Sequence, residues 1–286
     1  GRLIMGLSFG LGLPPAPNKG GSFYAGWPLA FDFVNNKYRV GVGRGYSSSF
    51  LEQPGVTYAR TGADLLSYNP VTGKWQAFAA NAPALLTGAG QDIPEGTANK
   101  CTNYNAAPDA GLTSVSKSGD AAATLTRVDD TAALLAAGFG PLIDAGKMNG
   151  FVFRLDNSAG STDAFAVISG TFGNTNVHEM SVFARGSGVF SANAHVGWGG
   201  GSISNNALTS AFVRYFGTPS APTNSAGAMR IRASAGAVVY FILNQLEEKT
   251  YATNPVIVSG AAATRGNAQP VVTGLSSILT PPFTLV

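Results

Sequence analysis

The sequence has little charge. Asp, Glu, Lys and Arg together make up 12% of the 286 residues, whereas apolar residues make up 45%. This charged share is about half of ordinary usage. Low charge with ordinary apolar content argues against disorder, which needs the opposite balance. It suits a surface built from small polar groups or covered by other subunits. The net charge of +3 is not gathered into a Lys/Arg run, so nothing indicates nucleic-acid binding.

Cysteine and histidine are almost absent. Cys101 stands alone, which rules out an intramolecular disulfide and indicates a buried thiol, and His178 and His195 are the histidines. These are too few for the usual four-ligand zinc site, and we expect no cofactor. No apolar run approaches the 18 residues of a membrane-spanning helix. The opening Leu3–Met5 lacks the pattern of a signal peptide, so we expect no membrane insertion.

Short apolar runs, rich in β-branched and aromatic residues, fill the middle of the chain. They are Gly150–Leu155, Ala164–Gly170, Met180–Gly186 and Val238–Glu247. Such runs, bounded by Gly, Asn, Asp or Ser, are typical of strands separated by tight turns. In the third run, Phe183 interrupts the alternation of apolar and polar residues. We therefore predict that both faces of that strand are covered, as in a two-sheet sandwich, and interpret 150–247 as the core of a jelly-roll-like domain.

The remaining pattern predicts irregular β-structure with little helix. Strands are expected at 31–34 and 38–42 around a turn, at 56–60, at 68–78 around a Pro/Gly turn, and at 122–128. A short helix is predicted over 132–137, capped by Asp129–Thr131 and stopped by Gly138. The glycine-rich segments 186–202 and 217–228 are interpreted as loops.

The first residues alternate small with large apolar side chains. As a strand, this segment carries its large side chains on one face: Leu7, Phe9, Leu11 and Leu13. Its glycine face allows another backbone to approach closely. We predict an arm that docks on a neighbouring subunit by adding a strand; the alternative is a first strand of the chain's own sheet. The apolar tail Pro281–Val286 also needs a surface, and Trp27 and Trp75 are expected at subunit contacts.

A series of motifs spans residues 30–266. It comprises Phe31–Phe33, Tyr38–Val40, Thr57–Arg60, Ala82–Leu85, Gly90–Asn99, Arg154–Gly160, Val182–Gly186, Gln245–Glu248, Thr253–Pro255 and Ala263–Arg265. In order and spacing these motifs resemble a family of tailed-bacteriophage and prophage fibre or spike proteins. The closing Gln-Leu-Glu to Thr-Arg set is the most specific match. Within Gly90–Asn99, residues Glu95, Thr97 and Asn99 match, but the family's usual arginine is missing.

The resemblance implies a virion structural protein, on the head or the tail, with a jelly-roll domain like that of carbohydrate-binding modules. It also implies an oligomer, and we expect a homotrimer. The expected partners are other virion proteins, copies of this chain and, for a glycan-binding member, a host cell-surface glycan. The alternating arm resembles the docking segment that such proteins often carry.

Sugar binding needs exposed aromatic faces beside amide and carboxylate groups. Trp198 lies among glycines, with His195 before it and Asn205 and Asn206 after it. These residues are the candidate glycan platform. A core or interface role for Trp198 is the alternative.

Catalysis is not expected. A glycosidase needs two carboxylates at a fixed separation, and no spacing in the sequence forces such a pair. The acidic residues weighed for this role are Asp129, Asp130, Asp156 and Asp163. Loop acids of this kind are usually solvated or cap turns, and Asp156–Ser158 is interpreted as an Asx-turn rather than a calcium site. A glycan-binding adhesin and a glycan depolymerase remain the alternatives to a purely structural protein.

The sequence therefore predicts an all-β protein with four segments. These are an extended docking arm at 1–30, an irregular β region at 31–100, a jelly-roll-like β-sandwich at 101–250 and an extended tail at 251–286.

Overall fold

The computed structural model describes residues 29–32, 37–40, 51, 53, 55–92, 95–101, 115–170, 172–194, 202–226, 229–258 and 262–272. Its strands are β1 (Leu29–Asp32), β2 (Lys37–Val40), β3 (Val56–Ala59), β4 (Leu65–Asn69), β5 (Lys74–Phe78), β6 (Ala84–Leu86), β7 (Gly90–Asp92), β8 (Thr97–Asn99), β9 (Val115–Gly119), β10 (Thr124–Asp129), β11 (Phe151–Asp156), β12 (Ala164–Ile168), β13 (Glu179–Ser187), β14 (Val189–Ala194), β15 (Ile203–Ala207), β16 (Val213–Phe216), β17 (Met229–Ala233), β18 (Val238–Glu247), β19 (Ala263–Arg265) and β20 (Gln269–Val272). Its helices are α1 (Thr131–Ala136) and α2 (Gly140–Asp144).

Strands β9 to β18 form two antiparallel sheets. Sheet I has the order β10-β11-β18-β13-β16, and sheet II has the order β15-β14-β17-β12-β9. From β11 to β18 the chain crosses to the other sheet at every step except the β14–β15 hairpin. This is the strand order of a jelly roll, which β10 and β9 extend by one strand in each sheet. The prediction of an all-β, jelly-roll-like sandwich is confirmed.

The main core lies between the two sheets. Alternate residues of β13 face it, namely Met180, Val182 and Ala184, and each is fully buried. Phe153 and Phe241, on neighbouring strands of sheet I, stack there with ring centroids 5.4 Å apart. Burying one large apolar side chain contributes about 1.5–3 kcal/mol, so this layer supplies much of the stability.

A bulge in β18 changes which of its residues face the core. Ser181 pairs with Gln245 and Phe183 with Ile242, so one residue of β13 lies opposite two residues of β18. Leu243 takes a φ of 52°, uncommon for leucine, and accommodates the extra residue. Beyond the bulge, the polar side chains of β18 lie on the outer face of sheet I.

The apolar half of that outer face is covered. Phe183 packs there against Trp75 of β5 and Phe139, with ring centroids 5.5 Å and 5.2 Å away. Leu134 of α1 and Leu142 of α2 are fully buried in the same cluster. The prediction that both faces of β13 are covered is therefore confirmed. The expectation of Trp75 at a subunit contact is wrong, because Trp75 is buried against its own chain.

The helical segment is longer than the sequence indicated. Helix α1 matches the predicted helix to within a residue at each end, but no side chain caps it. The carboxylate of Asp130, its expected cap, instead accepts two hydrogen bonds from Arg185, each 2.7 Å long. Helix α2 was not predicted. It begins next to Pro141, whose fixed φ suits a first helical turn.

The interpretation of 186–202 as a loop is wrong in part. Strand β14 lies within it and pairs with both β15 and β17. Phe190 and Ala192 of β14 are fully buried in the main core. The glycines on either side hid this strand, because Gly188 takes a φ of 80° in the turn that leads into it.

The remaining strands form small antiparallel pairs outside the sandwich. They are β1–β2, β4–β5, β6–β7, β8–β19 and β3–β20. The first pair agrees with the predicted hairpin, but its strands begin two residues and one residue earlier than predicted, and residues 33–36 lie outside the described residues. In the last two, a strand that precedes the sandwich pairs with one that follows it. The chain thus enters and leaves the jelly roll through neighbouring strands.

Candidate functional site

Four of the motifs behind the family resemblance, Gly90–Asn99, Gln245–Glu248, Thr253–Pro255 and Ala263–Arg265, meet in one buried polar cluster, the polar clamp, formed by Asn99, Gln245, Glu247, Thr253 and Arg265. All five are less than one-tenth exposed. Their hydrogen bonds join β8, the end of β18 and the segment that follows it. A buried polar group is costly unless it is bonded, so such a cluster fixes the arrangement of its members.

Asn99 joins these segments through all of its amide atoms. Its Nδ2 donates to the carbonyls of Asn244 and Val256, at 3.0 and 3.2 Å. Its Oδ1 accepts from the backbone N–H groups of Leu246 and Cys101, each at 3.1 Å. This side chain therefore forms with β18 and the segment after it the kind of backbone hydrogen bonds that a neighbouring strand would form.

The Glu247 carboxylate is held in the same way. It accepts hydrogen bonds from Thr97 Oγ1 at 2.6 Å, from Thr253 N and Oγ1 at 2.7 Å each, and from Gln245 Nε2 at 2.9 Å. Arg265 donates to the carbonyl of Asn254 at 3.0 Å and to Thr253 Oγ1 at 3.4 Å. The most specific sequence motif therefore has a structural role that can be assigned from its contacts.

A second buried acid lies across from Glu247. Glu179 of β13 pairs with it in register and is 1% exposed. Its Oε1 accepts a 2.7 Å hydrogen bond from Gly217 N, whereas Oε2 is buried without a hydrogen bond. Burial, with the nearby Glu247 charge, raises the pKa of Glu179 to about 7. Near neutral pH this carboxyl is thus partly protonated.

The outer face of sheet II is different, because no helix or strand of the described residues packs on it. Alternation along β17 turns Met229, Ile231 and Ala233 into the core and leaves Arg230 and Arg232 outside. The neighbouring strands add outward side chains at the same level: Ser191 and Asn193 from β14, Phe165 and Val167 from β12. This face therefore presents hydroxyl, amide, guanidinium and aromatic groups on a rigid support.

The two arginines are held by neutral groups and one acid. Arg230 Nε donates to Asn193 Oδ1 at 2.6 Å, and its guanidinium lies 4.3 Å from the centre of the Phe165 ring. Arg232 donates to Asn205 Oδ1 at 3.1 Å and forms an ion pair with Asp163 at 2.8 Å. Burial, and then the charge of Arg232, lowers the pKa of Arg230 below its ordinary value. The face therefore carries more positive than negative charge.

A shallow cleft of about 320 Å³ lies on this face, over β14 and β15. Its lining comprises Ser191, Ala192, Asn193, Ser202, Ile203, Ser204, Asn205 and Arg232. The volume is at the lower end of the range for small-ligand sites. Polar groups on fixed strands, open to solvent, can bind a hydroxylated ligand without rearranging.

The structure describes two of the four residues of the predicted glycan platform, Asn205 and Asn206. Asn205 lines the cleft, whereas Asn206 pairs with Phe190, is absent from the lining and donates to the Ser204 carbonyl. His195 and Trp198 lie outside the described residues, in the segment that connects β14 to β15. The predicted docking arm at Leu7, Phe9, Leu11 and Leu13 and the tail 281–286 also lie outside them.

The sequence missed Ser191, Asn193, Arg230 and Arg232. A readable signal existed for the arginines, because Met229–Ala233 alternates apolar and charged residues as a half-exposed strand does. Asn193 was missed because residues 186–202 were interpreted as a loop, so no outward-facing side chain was sought there.

The carboxylates weighed for catalysis are engaged in local contacts. Asp130 binds Arg185, Asp163 pairs with Arg232, and Asp129 accepts from Thr131 Oγ1 at 2.7 Å. Asp156 contacts Arg154 and accepts from Ser158 N at 3.0 Å. That last bond is an Asx-turn, as predicted.

Cys101 and His178 are both buried. Burial raises the pKa of the Cys101 thiol to about 12, and that of His178 is lowered, chiefly by burial. Across the described ranges, no set of three or more His, Cys, Asp and Glu side chains is placed to hold a metal ion. Neither helix in the part of the chain that the structure describes has the length and apolar content to cross a membrane.

Fold and cleft together define a jelly-roll β-sandwich with one covered and one open outer face. No protein-family model matches the chain, and no curated protein matches it. One similar solved structure is the enzymatically active domain of bacteriophage CBA120 tailspike protein 4, with 12% identity, a TM-score of 0.28 and coverage of 60% of this chain. The chain spans 21% of that structure.

Another similar structure is the PA14 sugar-binding domain of an RTX adhesin. It has 11% identity and a TM-score of 0.22, and the match covers 71% of this chain and 99% of that one. Both similarities are distant. The assignment of a site therefore rests on the contacts within this chain.

Proposed function

We propose that this protein is a structural component of a bacteriophage particle whose jelly roll binds a host surface glycan through the outer face of sheet II. The observation that carries the glycan part is the open polar cleft over β14 and β15. Asn193, Asn205 and Arg232 converge there on rigid strands. Amide, hydroxyl and guanidinium groups at fixed positions match the alternating donors and acceptors of a sugar ring.

The particle part rests on the motifs of residues 30–266. Their most specific members form the polar clamp, which attaches the flanking segments to β18, so they describe a feature of the fold. Within this proposal the chain is a homotrimer, with the segment Leu7–Leu13 docked on a neighbouring subunit of the virion. It has no catalytic role.

Binding is tested with the double variant Asn193→Ala/Asn205→Ala of the full chain. We expect at least about a tenfold loss of affinity for the host's surface glycans in a glycan array and in calorimetry, since two polar contacts are removed. Asn224→Ala is the matched control, because Asn224 is exposed, outside the cleft lining and bonded to Ala226 N. Undiminished binding by the double variant would remove the cleft from the proposal.

Docking is tested by deleting residues 1–20. The truncated protein should be missing from particles while the melting temperature of the sandwich stays unchanged. Light scattering of the full chain should give three copies per assembly. Normal incorporation of the truncated chain, or a monomer, would contradict the docking proposal. Shortening of host polysaccharide by the purified protein would replace binding with depolymerisation.

A further inference from the structure

The strongest charge feature of the open face is an arginine pair that one acid incompletely balances. Arg230 and Arg232 are two residues apart on β17, so their Cα atoms lie about 7 Å apart on one face. Asp163 forms an ion pair with Arg232. In the described part of the chain, Arg230 has no carboxylate within ion-pair distance and is held through Nε by Asn193 alone.

The orientation of Arg230 is set by its neighbours. The Phe165 ring lies 4.3 Å from the guanidinium carbon, and Asn193 takes up the Nε–H. Among the described residues, no hydrogen bond occupies the Nη donors of Arg230, so they can bind a ligand. A guanidinium that is already fixed loses little freedom when it binds a planar, two-oxygen acceptor, and this pairing is both strong and geometrically selective.

From this geometry we propose that the glycan is acidic and carries uronic-acid carboxylates that bind Arg230 and Arg232. This inference rests on the proposed function and narrows it. One carboxylate would balance the excess charge of the face. Ser191, Asn193 and Asn205 lie on adjoining strands about 5 Å apart, so they can reach the hydroxyls of the sugar ring that bears the carboxylate.

The test compares the binding of each polysaccharide before and after its carboxylates are reduced. Full-length protein is titrated with oligomers of hyaluronate, alginate and polygalacturonate, and with the same oligomers after their carboxylates are reduced to alcohols. We expect at least one carboxylated oligomer to bind, and its reduction to lower the affinity about 10- to 100-fold, as the loss of a charge-assisted bidentate contact does. Binding of the carboxylated form should also weaken with added salt.

Two variants connect that difference to the arginines. Arg230→Gln and Arg232→Gln should each lose most of the preference for the carboxylated form, while changing the melting temperature by no more than a few degrees. Arg127→Gln is the matched control, because Arg127 also lies over a phenylalanine, Phe151, at 4.4 Å, but on sheet I. The control should keep the full preference.

The possible outcomes separate the two proposals. Equal binding of carboxylated and reduced oligomers, sensitive to Asn193→Ala/Asn205→Ala, would overturn the acidic ligand and leave glycan binding in place. A carboxylate preference that survives both arginine variants would overturn the assigned site. Binding of a glycerol-phosphate polymer in preference to every uronate would overturn the carboxylate class. Absence of binding to any glycan would overturn both proposals.

Discussion

The outer faces of the two sheets carry opposite kinds of surface. On sheet I, the apolar half is covered by α1, α2 and the β4–β5 hairpin, and the polar half by the clamp. On sheet II, Arg230, Arg232 and Asn193 are not covered by any helix or strand of the described residues. A sheet face that the chain itself covers contributes stability, and a face left open is available to bind. Under the proposed function, one face of the sandwich contributes stability and the other binds the ligand.

The largest effect that would test this division is expected at Trp75. Trp75→Ala should lower the free energy of unfolding by about 3–5 kcal/mol, because it empties the space between Phe139 and Phe183. Chemical denaturation followed by circular dichroism measures it. Tyr68→Ala is the control, since Tyr68 is 41% exposed and should cost far less. A small loss at Trp75 would show that the cover is loosely attached.

Substitutions in the polar clamp should lower the free energy of unfolding nearly as much as Trp75→Ala does. Asn99→Asp keeps the shape but sets an oxygen against the carbonyls of Asn244 and Val256, so we expect a loss of about 2–4 kcal/mol. The open-face counterpart Asn193→Asp should change stability by less than about 1 kcal/mol. Similar losses at both positions in the same denaturation experiment would contradict the contrast between the faces.

Glu179 should make the covered face sensitive to pH. Its pKa is raised from 4.5 to about 7, which means that the folded state holds the proton more tightly than the unfolded state does. The stability that protonated Glu179 contributes is complete below pH 4.5 and is lost as pH rises through 7. Glu179→Gln stays neutral at every pH. The free energy of unfolding of the variant minus that of the unmodified protein should therefore be about 1–3 kcal/mol greater at pH 8 than at pH 4.5. Thermal unfolding at the two pH values gives the comparison, and a pH-independent difference would mean that folding does not raise the pKa of Glu179.

The smallest change in stability is expected on the open face. Arg232→Gln removes a partly exposed ion pair with Asp163 and should alter the free energy of unfolding by no more than about 0.5–1 kcal/mol. The same substitution is expected to weaken glycan binding strongly. A large destabilisation would instead assign Arg232 to the structural framework.

Much of the sandwich was readable from local pattern. The runs at 150–155, 164–170, 180–186 and 238–247 have the length, side-chain type and turn residues of strands. The structure has strands at 151–156, 164–168, 179–187 and 238–247. Phe183 signalled a second covered face. The order of the strands was less accessible, because β18 lies between β11 and β13, far from both in sequence. Such pairing depends on long-range contacts that periodicity does not encode.

The sites were less readable than the fold. Asn205 was predicted as a site residue only because it is close to Trp198 in sequence. Arg230 and Asn193 lie next to each other only because β17 pairs with β14. The polar clamp was equally hidden. Asn99 and Glu247 are polar residues that sequence reasoning places on the surface, and only the fold shows that they are buried.

The nested pairs β3–β20 and β8–β19 have a consequence for how the molecule can change. The sandwich lies in sequence between the two strands of each pair. Asn99 pairs with Ala263 at the end of β8 that leads into the sandwich. A unit whose two ends emerge side by side can be exchanged for another without redirecting the flanking chain. The pairs β3–β20 and β8–β19 would thus accept a sandwich of different sequence in place of this one, provided its last strand kept the contacts that β18 makes with β8.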